Sequence, residues 1–260
     1  MFNSLWGKKI LQPVFQRLHR AALKGMNYGR ASDYLHNGES VVLRKLRGMI
    51  RTPSPVLFDV GANKGEFTRR IVETWGESGF TLYAFEPSAR TFEILKKNVN
   101  ATAAIHLVNM GLGEKKERVE LFYDKVGSGL ASVYPRDLSF RSIDFSIHET
   151  INLTSVDIFC DENNISSIDF LKLDVEGHEL AVLRGAQRMF EEGRIGIVQF
   201  EFGGCNIDSR TFFKDYFTFF AGNFKLYRIL SNGFAEIDRY SENLEVFQSA
   251  NYLAIRKTNG

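Results

Sequence analysis

The sequence Val56-Leu-Phe-Asp-Val-Gly-Ala-Asn-Lys-Gly-Glu-Phe67 decides the fold class. Apolar residues lead to Asp59, the glycines Gly61 and Gly65 follow, and a helical pattern begins after them. A buried strand, a glycine turn and a helix N-terminus form the arrangement by which α/β proteins approach a nucleotide closely. Glycine allows the sharp turn and removes the Cβ that would hold a ligand away. The stretch therefore predicts a nucleotide-type pocket, and a tight turn without a ligand is the alternative.

A second predicted strand, residues 80–85, ends at Glu86. An acidic residue at that place can accept hydrogen bonds from both hydroxyls of a ribose. The turn lacks the middle glycine of the dinucleotide fingerprint G-x-G-x-x-G, which a pyrophosphate needs for close approach. S-adenosylmethionine has no phosphate and is less demanding there. The turn and Glu86 together therefore favour an adenosine-type ligand over a dinucleotide.

Length and composition limit the class of protein. The 260 residues fit one α/β domain with a small extension, and a net charge of +2 argues against nucleic-acid binding. The two cysteines, Cys160 and Cys205, lack metal-ligand spacing and indicate a reducing, intracellular setting rather than a disulfide framework. We find no signal peptide and no apolar stretch long enough to span a bilayer, so we expect a cytoplasmic protein.

Predicted strands and helices alternate from Val56 onward. Strands are expected at residues 56–59, 80–85, 105–109, 168–174 and 195–202. Such alternation predicts a parallel sheet wrapped by helices, and the Asn232-Gly233 turn predicts that the end of the sheet is antiparallel. A proline-containing linker precedes the first strand. The sequence thus predicts an N-terminal helical extension over residues 1–54 and a main domain over residues 55–260.

Residues 4–25 show the pattern of a basic amphipathic helix. Apolar residues recur near helical spacing, and no acid precedes Asp33. The basic residues are Lys8, Lys9, Arg17, Arg20 and Lys24. One interpretation is a peripheral membrane contact, because basic faces meet anionic lipid headgroups. The other, which we prefer because Pro13 interrupts the pattern, is a helix that packs on the core with its basic face in solvent.

The residues that follow the predicted strands rank first as site residues. In an open α/β sheet, ligands bind beyond the carboxyl ends of the strands, near the point where the strand order reverses. The segments at these ends are residues 59–65, 86, 109–113, 174–179 and 201–204. Lys172 and Asp174 leave the same face of one strand, where the lysine would keep the aspartate ionised. His178 follows on the next turn and could act as a base near neutral pH.

Several motifs occur in a fixed order along the chain. They are Asp59-Val-Gly-Ala-Asn-Lys-Gly65, Ala84-Phe-Glu-Pro87, Gly111-Leu-Gly113, Leu171-Lys-Leu-Asp-Val-Glu-Gly-His-Glu179 and Val182-Leu-Arg-Gly-Ala186. Together, over roughly residues 55–205, they resemble the FkbM family of S-adenosylmethionine-dependent methyltransferases. The resemblance implies an α/β class I methyltransferase fold: a Rossmann-like, seven-stranded, mostly parallel sheet with helices on both faces and an antiparallel last strand. It also implies O-methylation, typically of a sugar or a polyketide-type natural product.

The resemblance also implies roles for individual positions. The expected cofactor-binding residues are Asp59, Gly61, Asn63, Gly65, Glu86, Met110 and Gly111. The glycine turn and Asn63 would border the methionine and ribose end of S-adenosylmethionine, with Asp59 beneath them. Glu86 would accept hydrogen bonds from the ribose hydroxyls, and the backbone around Met110 would border the adenine.

Methyl transfer to a sugar hydroxyl calls for a base or a metal, because a neutral hydroxyl is a poor nucleophile. The candidate catalytic bases are His178, Asp174 and Glu176, in order of side-chain pKa suitability. The alternative is a structural role, in which Asp174 caps the following helix and Glu176 or Glu179 favours its positive N-terminus. A second mechanism is also open, in which Asp174 and Glu201 hold Mg²⁺ that polarises the hydroxyl.

The loop at residues 125–140 is long for a compact domain, and such loops are more often functional than idle. Its part over residues 125–136 is a candidate substrate lid. Serine and tyrosine hydroxyls there suit sugar hydroxyls, and Arg136 suits a phosphate or carboxylate. The polar residues concerned are Ser128, Ser132, Tyr134 and Arg136. An ordinary surface loop is the alternative.

We therefore expect an S-adenosylmethionine-dependent O-methyltransferase that acts on a hydroxyl of a sugar or glycoconjugate, in polysaccharide or glycolipid biosynthesis. An O-methyltransferase of a polyketide-type metabolite and a non-catalytic binding module on the same fold remain alternatives. The missing glycine disfavours a nicotinamide-dependent oxidoreductase. The expected partner is a small-molecule or glycan acceptor and not a nucleic acid. Peripheral membrane contact through residues 4–25 stays open.

Overall fold

A central sheet of eight strands, five of them parallel, organises the part of the chain that the computed structural model describes, residues 6–30, 37–76 and 78–257. Along the chain the strands are β1 (Val56–Val60), β2 (Thr81–Phe85), β3 (Ile105–Val108), β4 (Gly111–Leu112), β5 (Glu117–Tyr123), β6 (Ile147–Thr154), β7 (Ile168–Leu173), β8 (Ile195–Phe202), β9 (Phe224–Leu230), β10 (Gly233–Ile237) and β11 (Ala250–Arg256). The central order is β10-β9-β11-β8-β7-β1-β2-β3, and β4-β6-β5 form a separate small sheet.

Helices cover both faces of the central sheet. They are α1 (Gln12–Gly25), α2 (Glu39–Met49), α3 (Glu66–Trp75), α4 (Ala89–Asn98), α5 (Val156–Glu162), α6 (Glu179–Arg184), α7 (Gln187–Glu191), α8 (Cys205–Ser209) and α9 (Phe213–Phe220). One core contains side chains of α2, α3 and α4, and the other contains side chains of α5, α6, α7 and α9. On β1, Leu57 belongs to the first core and Phe58 to the second, as the alternation of side chains along a strand requires.

The architecture confirms the expected class I methyltransferase fold, with one correction to the strand count. The described part of the sheet has eight strands rather than the expected seven. The additional strand is β10, which returns antiparallel to β9 with Gly233 opposite Leu230. The two residues between these strands are Ser231 and Asn232, so Gly233 of the predicted Asn232-Gly233 turn is already the first residue of β10. The prediction that the end of the sheet is antiparallel is confirmed, since β9, β10 and β11 all pair antiparallel, whereas the expected count of seven strands left out β10.

The strand order reverses beside β1. The strands β2 and β3 lie on one side of β1, and β7 and β8 lie on the other. Because ligands of open α/β sheets bind at such a reversal, the carboxyl ends of β1 and β7 form the expected crevice.

The sequence pattern that follows Glu179 predicts a single helix through Phe190, but this helix is broken. The structure has α6 and α7 instead, separated at Gly185. A Cβ on Gly185 would lie 2.0 Å from the carbonyl oxygen of Gly113, so the chain passes directly against the small sheet there. The helical periodicity of the sequence continues across this position and could not indicate the break.

The N-terminal helix does not pack on the core, which was the interpretation that we preferred from the sequence. Helix α1 follows a 3-10 turn over Lys9–Leu11, and Pro13 lies in its first turn, where proline is tolerated. Among the residues of α1, all of which are described, only Leu23 is buried. The interpretation of a core-packed helix is therefore wrong. Helix α2, by contrast, packs on the sheet and buries Leu43 and Leu46.

Two predictions concern the N-terminal part of the chain. Residues 4 and 5 of the predicted helix lie outside the described residues. The division into an extension over residues 1–54 and a methyltransferase domain over residues 55–260 stays a prediction. Among the described helices, none combines the length and the apolar character that a membrane crossing requires.

We expect the stacked aromatic core on β8 to dominate stability. The Phe200 side chain is fully buried, and its ring stacks on Tyr216 with 4.8 Å between centroids and on Tyr252 with 5.5 Å. Phe200→Ala should lower the free energy of unfolding by about 3–5 kcal/mol in urea titrations. The matched control Phe140→Ala changes a ring that is 75% exposed and should cost less than about 0.5 kcal/mol. Equal losses in the two variants would contradict this assignment of the core.

Candidate active site

The turn after β1 passes directly against the segment that follows β7. Gly61 has φ 82°, and its backbone N–H donates to the carbonyl of Phe85 at 3.1 Å. A Cβ on Gly61 would lie 1.9 Å from the carbonyl oxygen of Asp174, closer than any side chain can approach. Glycine is therefore required at this position both by the left-handed backbone and by the contact.

Glu86, at the end of β2, is tied to the same turn. Its Oε2 accepts a hydrogen bond from the backbone N–H of Asn63 at 3.0 Å, and its Oε1 accepts one from Ser88 at 2.9 Å. Burial raises the pKa of Glu86 to about 7, although both backbone donors oppose the rise. Each carboxylate oxygen keeps a further lone pair that faces no described donor, so Glu86 can accept hydrogen bonds from a ligand.

A buried lysine joins the ends of β1 and β7. Lys172 is 3% exposed, and its Nζ lies 3.0 Å from Oδ2 of Asp174 and 3.7 Å from Oδ1 of Asp59. Burial lowers the pKa of Lys172, but Asp174, Asp59 and Glu39 together raise it above its usual value. The other oxygen of Asp59 accepts a hydrogen bond from the Thr68 hydroxyl at 2.7 Å. Asp59 is fully buried, and its hydrogen bond with Thr68 links the end of β1 to α3.

Three carboxylates converge beyond β7 and β8. One ligand-type oxygen from each of Asp174, Glu176 and Glu201 lies within 4.8 Å of the others. Glu176 has φ 50°, and its carboxylate accepts a hydrogen bond from Nη1 of the buried Arg136 at 2.7 Å. Burial raises the pKa of Glu176 to about 8 and raises that of Glu201 well above its usual value. Nearby carboxylates add to both shifts, because like charges this close disfavour full ionisation.

These three carboxylates fit Mg²⁺ poorly. Lys172 already pairs with Asp174, and Arg136 already pairs with Glu176. The positive charge that would balance two of these carboxylates thus already comes from protein side chains. Mg²⁺ demands near-octahedral oxygen ligands and several waters, so a site with two committed carboxylates is weak. We therefore derive no step through a metal.

His178 lies beside the small sheet. Its Nδ1 is 3.1 Å from the Tyr134 hydroxyl, and its Nε2 is buried without a hydrogen-bond partner among the described residues. A Cβ on Gly113 would lie 2.9 Å from that Nε2, so the ring packs against the Gly113 backbone. Burial lowers the pKa of His178 to about 4, and the imidazole is therefore neutral at pH 7.

Glu179 shapes the segment between β7 and α6. Its carboxylate accepts hydrogen bonds from the backbone N–H of Val175 at 3.0 Å and of Gly177 at 3.1 Å. The side chain is fully buried, and burial raises the pKa of Glu179 to about 7. The carboxylate thus holds the turn that presents Asp174, Glu176 and His178, which is a structural role at the helix N-terminus.

The predicted lid is bonded to both sides of the site. The carbonyl of Ser128 accepts a hydrogen bond from the Asn63 side chain at 2.9 Å. On the other side, the Ser132 hydroxyl donates to the carbonyl of Glu176 at 2.8 Å, and Arg136 also pairs with Asp208 at 3.2 Å. These bonds fix residues 125–136 as a wall that joins the turn after β1 to the carboxylates.

The glycine turn, Glu86, the wall of residues 125–136 and the three converging carboxylates surround one cleft of about 850 Å³. The predicted site residues that line it are Gly61, Asn63, Glu86, Gly111, Asp174, Glu176, His178 and Glu201. Asp59, Gly65 and Met110 are not among the lining residues. Gly65 is instead the N-cap of α3, and a Cβ there would lie 2.6 Å from the Val99 side chain, so Gly65 allows close packing against the end of α4.

Some residues that line the cleft could not be identified as site residues from the sequence. Glu39 of α2 is 3% exposed, and Gln199 donates a hydrogen bond to it at 3.4 Å. An acid in the first turn of a helix is ordinary, so nothing marked Glu39 as part of a site. Residues from the start and the end of the described chain also reach the cleft, namely Gly29, Phe247, Gln248, Ser249 and Asn251.

Comparison with known protein families supports one family. A family profile described as the methyltransferase FkbM domain matches residues 59–244, well over half of the chain. The matched region contains the glycine turn, Glu86, the wall and the converging carboxylates.

Two curated relatives and one solved structure are similar to the chain. The 2-O-methyltransferase NoeI of Sinorhizobium fredii is 24% identical over 163 residues, which cover 59% of this chain and 66% of that protein. Methyltransferase 1 of Beauveria bassiana is 28% identical over 144 residues, which cover 50% of this chain and 57% of that protein. The chain thus spans less than two thirds of either relative. The crystal structure of the methyltransferase FkbM from Methylobacillus flagellatus KT superposes with a TM-score of 0.47 at 18% identity, covering 81% of this chain and 47% of that one.

We expect the contact between Gly61 and Asp174 to be intolerant of any side chain. Gly61→Ala should lower the free energy of unfolding by at least about 2 kcal/mol more than Gly222→Ala, because backbone atoms must move. Gly222 is the matched control, since it has φ 87° and its added Cβ would meet no atom within 4 Å. Urea unfolding of both variants gives the difference. A loss in Gly61→Ala no larger than that in the control would show that the contact relaxes freely.

Proposed function

This chain belongs to the FkbM family of methyltransferases, and from that premise we propose that it transfers a methyl group from S-adenosylmethionine to a hydroxyl of a sugar or glycoconjugate. The observation that carries the proposal is the single cleft shared by the glycine turn, Glu86 and the converging carboxylates. The first two suit an adenosyl ligand, and the carboxylates suit the removal of a hydroxyl proton.

The chain's own residues fit the cofactor. Gly61 leaves the turn bare, and Glu86 offers acceptors for ribose hydroxyls. Oδ1 of Asn63 is buried without a partner among the described residues, so an acceptor is available in the cleft wall for a ligand N–H. When bound, S-adenosylmethionine would supply a sulfonium methyl group that an aligned oxygen can take by in-line displacement.

We assign the proton-accepting role to Asp174. Its side chain is 41% exposed, lines the cleft and forms an ion pair with Lys172, so a charged carboxylate is accessible to an acceptor hydroxyl. Glu176 is committed to Arg136, and the lowered pKa of about 4 leaves His178 little tendency to take a proton. In this proposal Asp174 accepts the hydroxyl proton as the oxygen takes the methyl group. His178 contributes packing, and Glu176 fixes the cleft wall.

The acceptor class is supported by two observations. Carboxylates in several positions, with Asn251 and Gln248 nearby in the lining, provide hydrogen-bond acceptors and donors for a polyhydroxylated ligand. A relative that is 24% identical is described as a 2-O-methyltransferase. A polyketide-type acceptor and a non-catalytic binding module on the same fold are the alternatives that the following experiments separate.

Binding of S-adenosylhomocysteine should depend on the ionisation of Glu86. The pKa of Glu86 is raised to about 7, so its carboxylate is ionised above that pH and protonated below it. Ribose hydroxyls donate to the ionised form, and affinity should therefore be about tenfold higher at pH 8 than at pH 6. Glu86→Gln should bind more weakly and lose most of this pH dependence. Isothermal titration calorimetry measures both effects, with NADH as a ligand that should give no heat. Absence of binding by the unmodified protein would contradict the proposed cofactor.

Methyl transfer should depend on Asp174 more than on His178. With radiolabelled S-adenosylmethionine and parallel panels of oligosaccharides and hydroxylated polyketides, Asp174→Asn should lower turnover at least about 100-fold, because the proton acceptor is lost. His178→Ala should lower it less than about tenfold. Asp238→Asn, at an exposed aspartate outside the cleft, is the matched control.

The outcomes of the transfer assay separate the alternatives. Full turnover in Asp174→Asn with loss in His178→Ala would move the base to His178. Transfer confined to the polyketide panel would replace the sugar assignment. Cofactor binding without transfer to either panel would favour the binding module.

A further inference from the structure

Helix α1 and the turn before it expose an unusual amount of apolar surface. Ile10, Val14 and Leu18, spaced four residues apart, are 84%, 50% and 59% exposed. Trp6 is 63% exposed, and its ring stacks on Phe15 with 5.5 Å between centroids. A surface helix normally turns its apolar residues toward the core, so a row that faces outward calls for an external partner.

The segment of residues 6–30 carries positively charged side chains and no negatively charged ones. Every charged residue within residues 6–30 is basic, and the first acid of the chain is Asp33. The basic residues are Lys8, Lys9, Arg17, Arg20, Lys24 and Arg30. The whole chain carries a net charge of only +2, so the remainder is net acidic. Such charge asymmetry is typical of a segment that contacts an anionic surface.

The C-terminal end of this segment is anchored to the folded domain. The Tyr28 ring is buried, Nη1 of Arg228 donates to its hydroxyl at 2.9 Å, and Nδ2 of Asn27 donates to the carbonyl of Ile229 at 3.1 Å. The next residue, Gly29, donates through its backbone N–H to the carbonyl of Ser249 at 2.9 Å, and both residues line the cleft. Apart from the buried Leu23 and the half-buried Phe15, the helix is thus exposed, yet it is fixed at one end beside the cleft.

We propose that α1 with its preceding turn is a peripheral membrane anchor that inserts Trp6, Ile10, Val14 and Leu18 into the headgroup region of an anionic lipid surface. Interfacial helices combine such an apolar row with lysines and arginines that contact anionic headgroups. A second copy of the chain is a poorer occupant, because two-fold pairing of the helices would bring like charges together. A nucleic acid offers no apolar surface for the row.

The anchoring does not depend on the reaction proposed above. Because the anchored end lies beside the cleft, membrane binding would hold the cleft near the lipid headgroups. If the chain is also a glycoconjugate methyltransferase, which is the proposed function, this placement suits an acceptor carried on a lipid.

The test is sedimentation of the full-length protein with lipid vesicles. Vesicles of equal parts phosphatidylcholine and phosphatidylglycerol should bind the protein at about 0.05 M salt and release most of it at about 0.5 M. Vesicles of phosphatidylcholine alone should bind at least about tenfold less, because the basic residues then lack anionic partners.

Two double variants test the two parts of the surface. Ile10→Ser with Leu18→Ser should lower the partition coefficient at least about tenfold, because apolar burial is lost. Lys8→Ser with Lys9→Ser should lower it about 25-fold, since each basic residue near an anionic surface contributes about fivefold. The matched controls are Phe140→Ser and Lys96→Ser with Lys97→Ser, which change exposed residues outside α1 and should bind within about twofold of the unmodified protein.

The outcomes decide the proposal without reference to catalysis. No sedimentation with anionic vesicles at low salt, or equal losses in the control variants, would overturn it. Light scattering that shows a dimer dissociated by Ile10→Ser with Leu18→Ser would assign the row to a second copy instead. Calorimetric binding of S-adenosylhomocysteine should be unchanged in all these variants, so failure of the cofactor proposal would be visible separately.

Discussion

The buried ammonium group of Lys172 is the interaction on which the site depends. It lies between the carboxylates of Asp59 and Asp174, at the carboxyl ends of two neighbouring parallel strands. Asp59 also accepts a hydrogen bond from Thr68 of α3, and Asp174 lines the cleft. Removing one member of a buried ion pair leaves an uncompensated charge, which typically costs 3–5 kcal/mol in proteins. A single cation therefore stabilises both halves of the cleft at the point where the strand order reverses.

The cleft contains more acid than the buried cations neutralise. Glu86, Glu176 and Glu201, which all line the cleft, have raised pKa values, and burial is the main cause for each. Folded carboxyls with raised pKa values bind protons more tightly than unfolded ones, so their contribution to stability falls as pH rises from about 4.5 to about 8. Perturbed carboxyl groups of this kind cluster at functional sites more often than elsewhere. Their grouping in one cleft supports a site that handles protons.

Local motifs in the sequence predicted which strand ends meet in the cleft. The glycine turn and Glu86 each follow a strand, and parallel strands bring their carboxyl ends to one edge, so their proximity follows from topology alone. The pairing of Lys172 with Asp174 was also predictable, because residues two apart on a strand share a face. The roles of these residues toward a cofactor and an acceptor stay predictions.

Contacts between segments distant in the chain could not be predicted. The bond between Arg136 and Glu176 fixes the wall of the cleft, and the place of Glu39 in the lining depends on how α2 crosses the sheet. The break at Gly185 reflects the approach of the Gly113 backbone, which no local pattern encodes. The packing of α1 was predicted wrongly, because periodicity shows which residues share a face but not what that face contacts.

The two tryptophans of the chain lie in opposite environments, which makes the protein a natural fluorescence reporter. Trp75 is 6% exposed and donates a hydrogen bond through Nε1 to the carbonyl of Leu43 at 3.3 Å, whereas Trp6 stands in solvent on the basic segment. Emission from the first records loss of the core, and emission from the second records a change of medium around α1. One spectrum can thus distinguish a protein that settles on a surface from a protein that unfolds there.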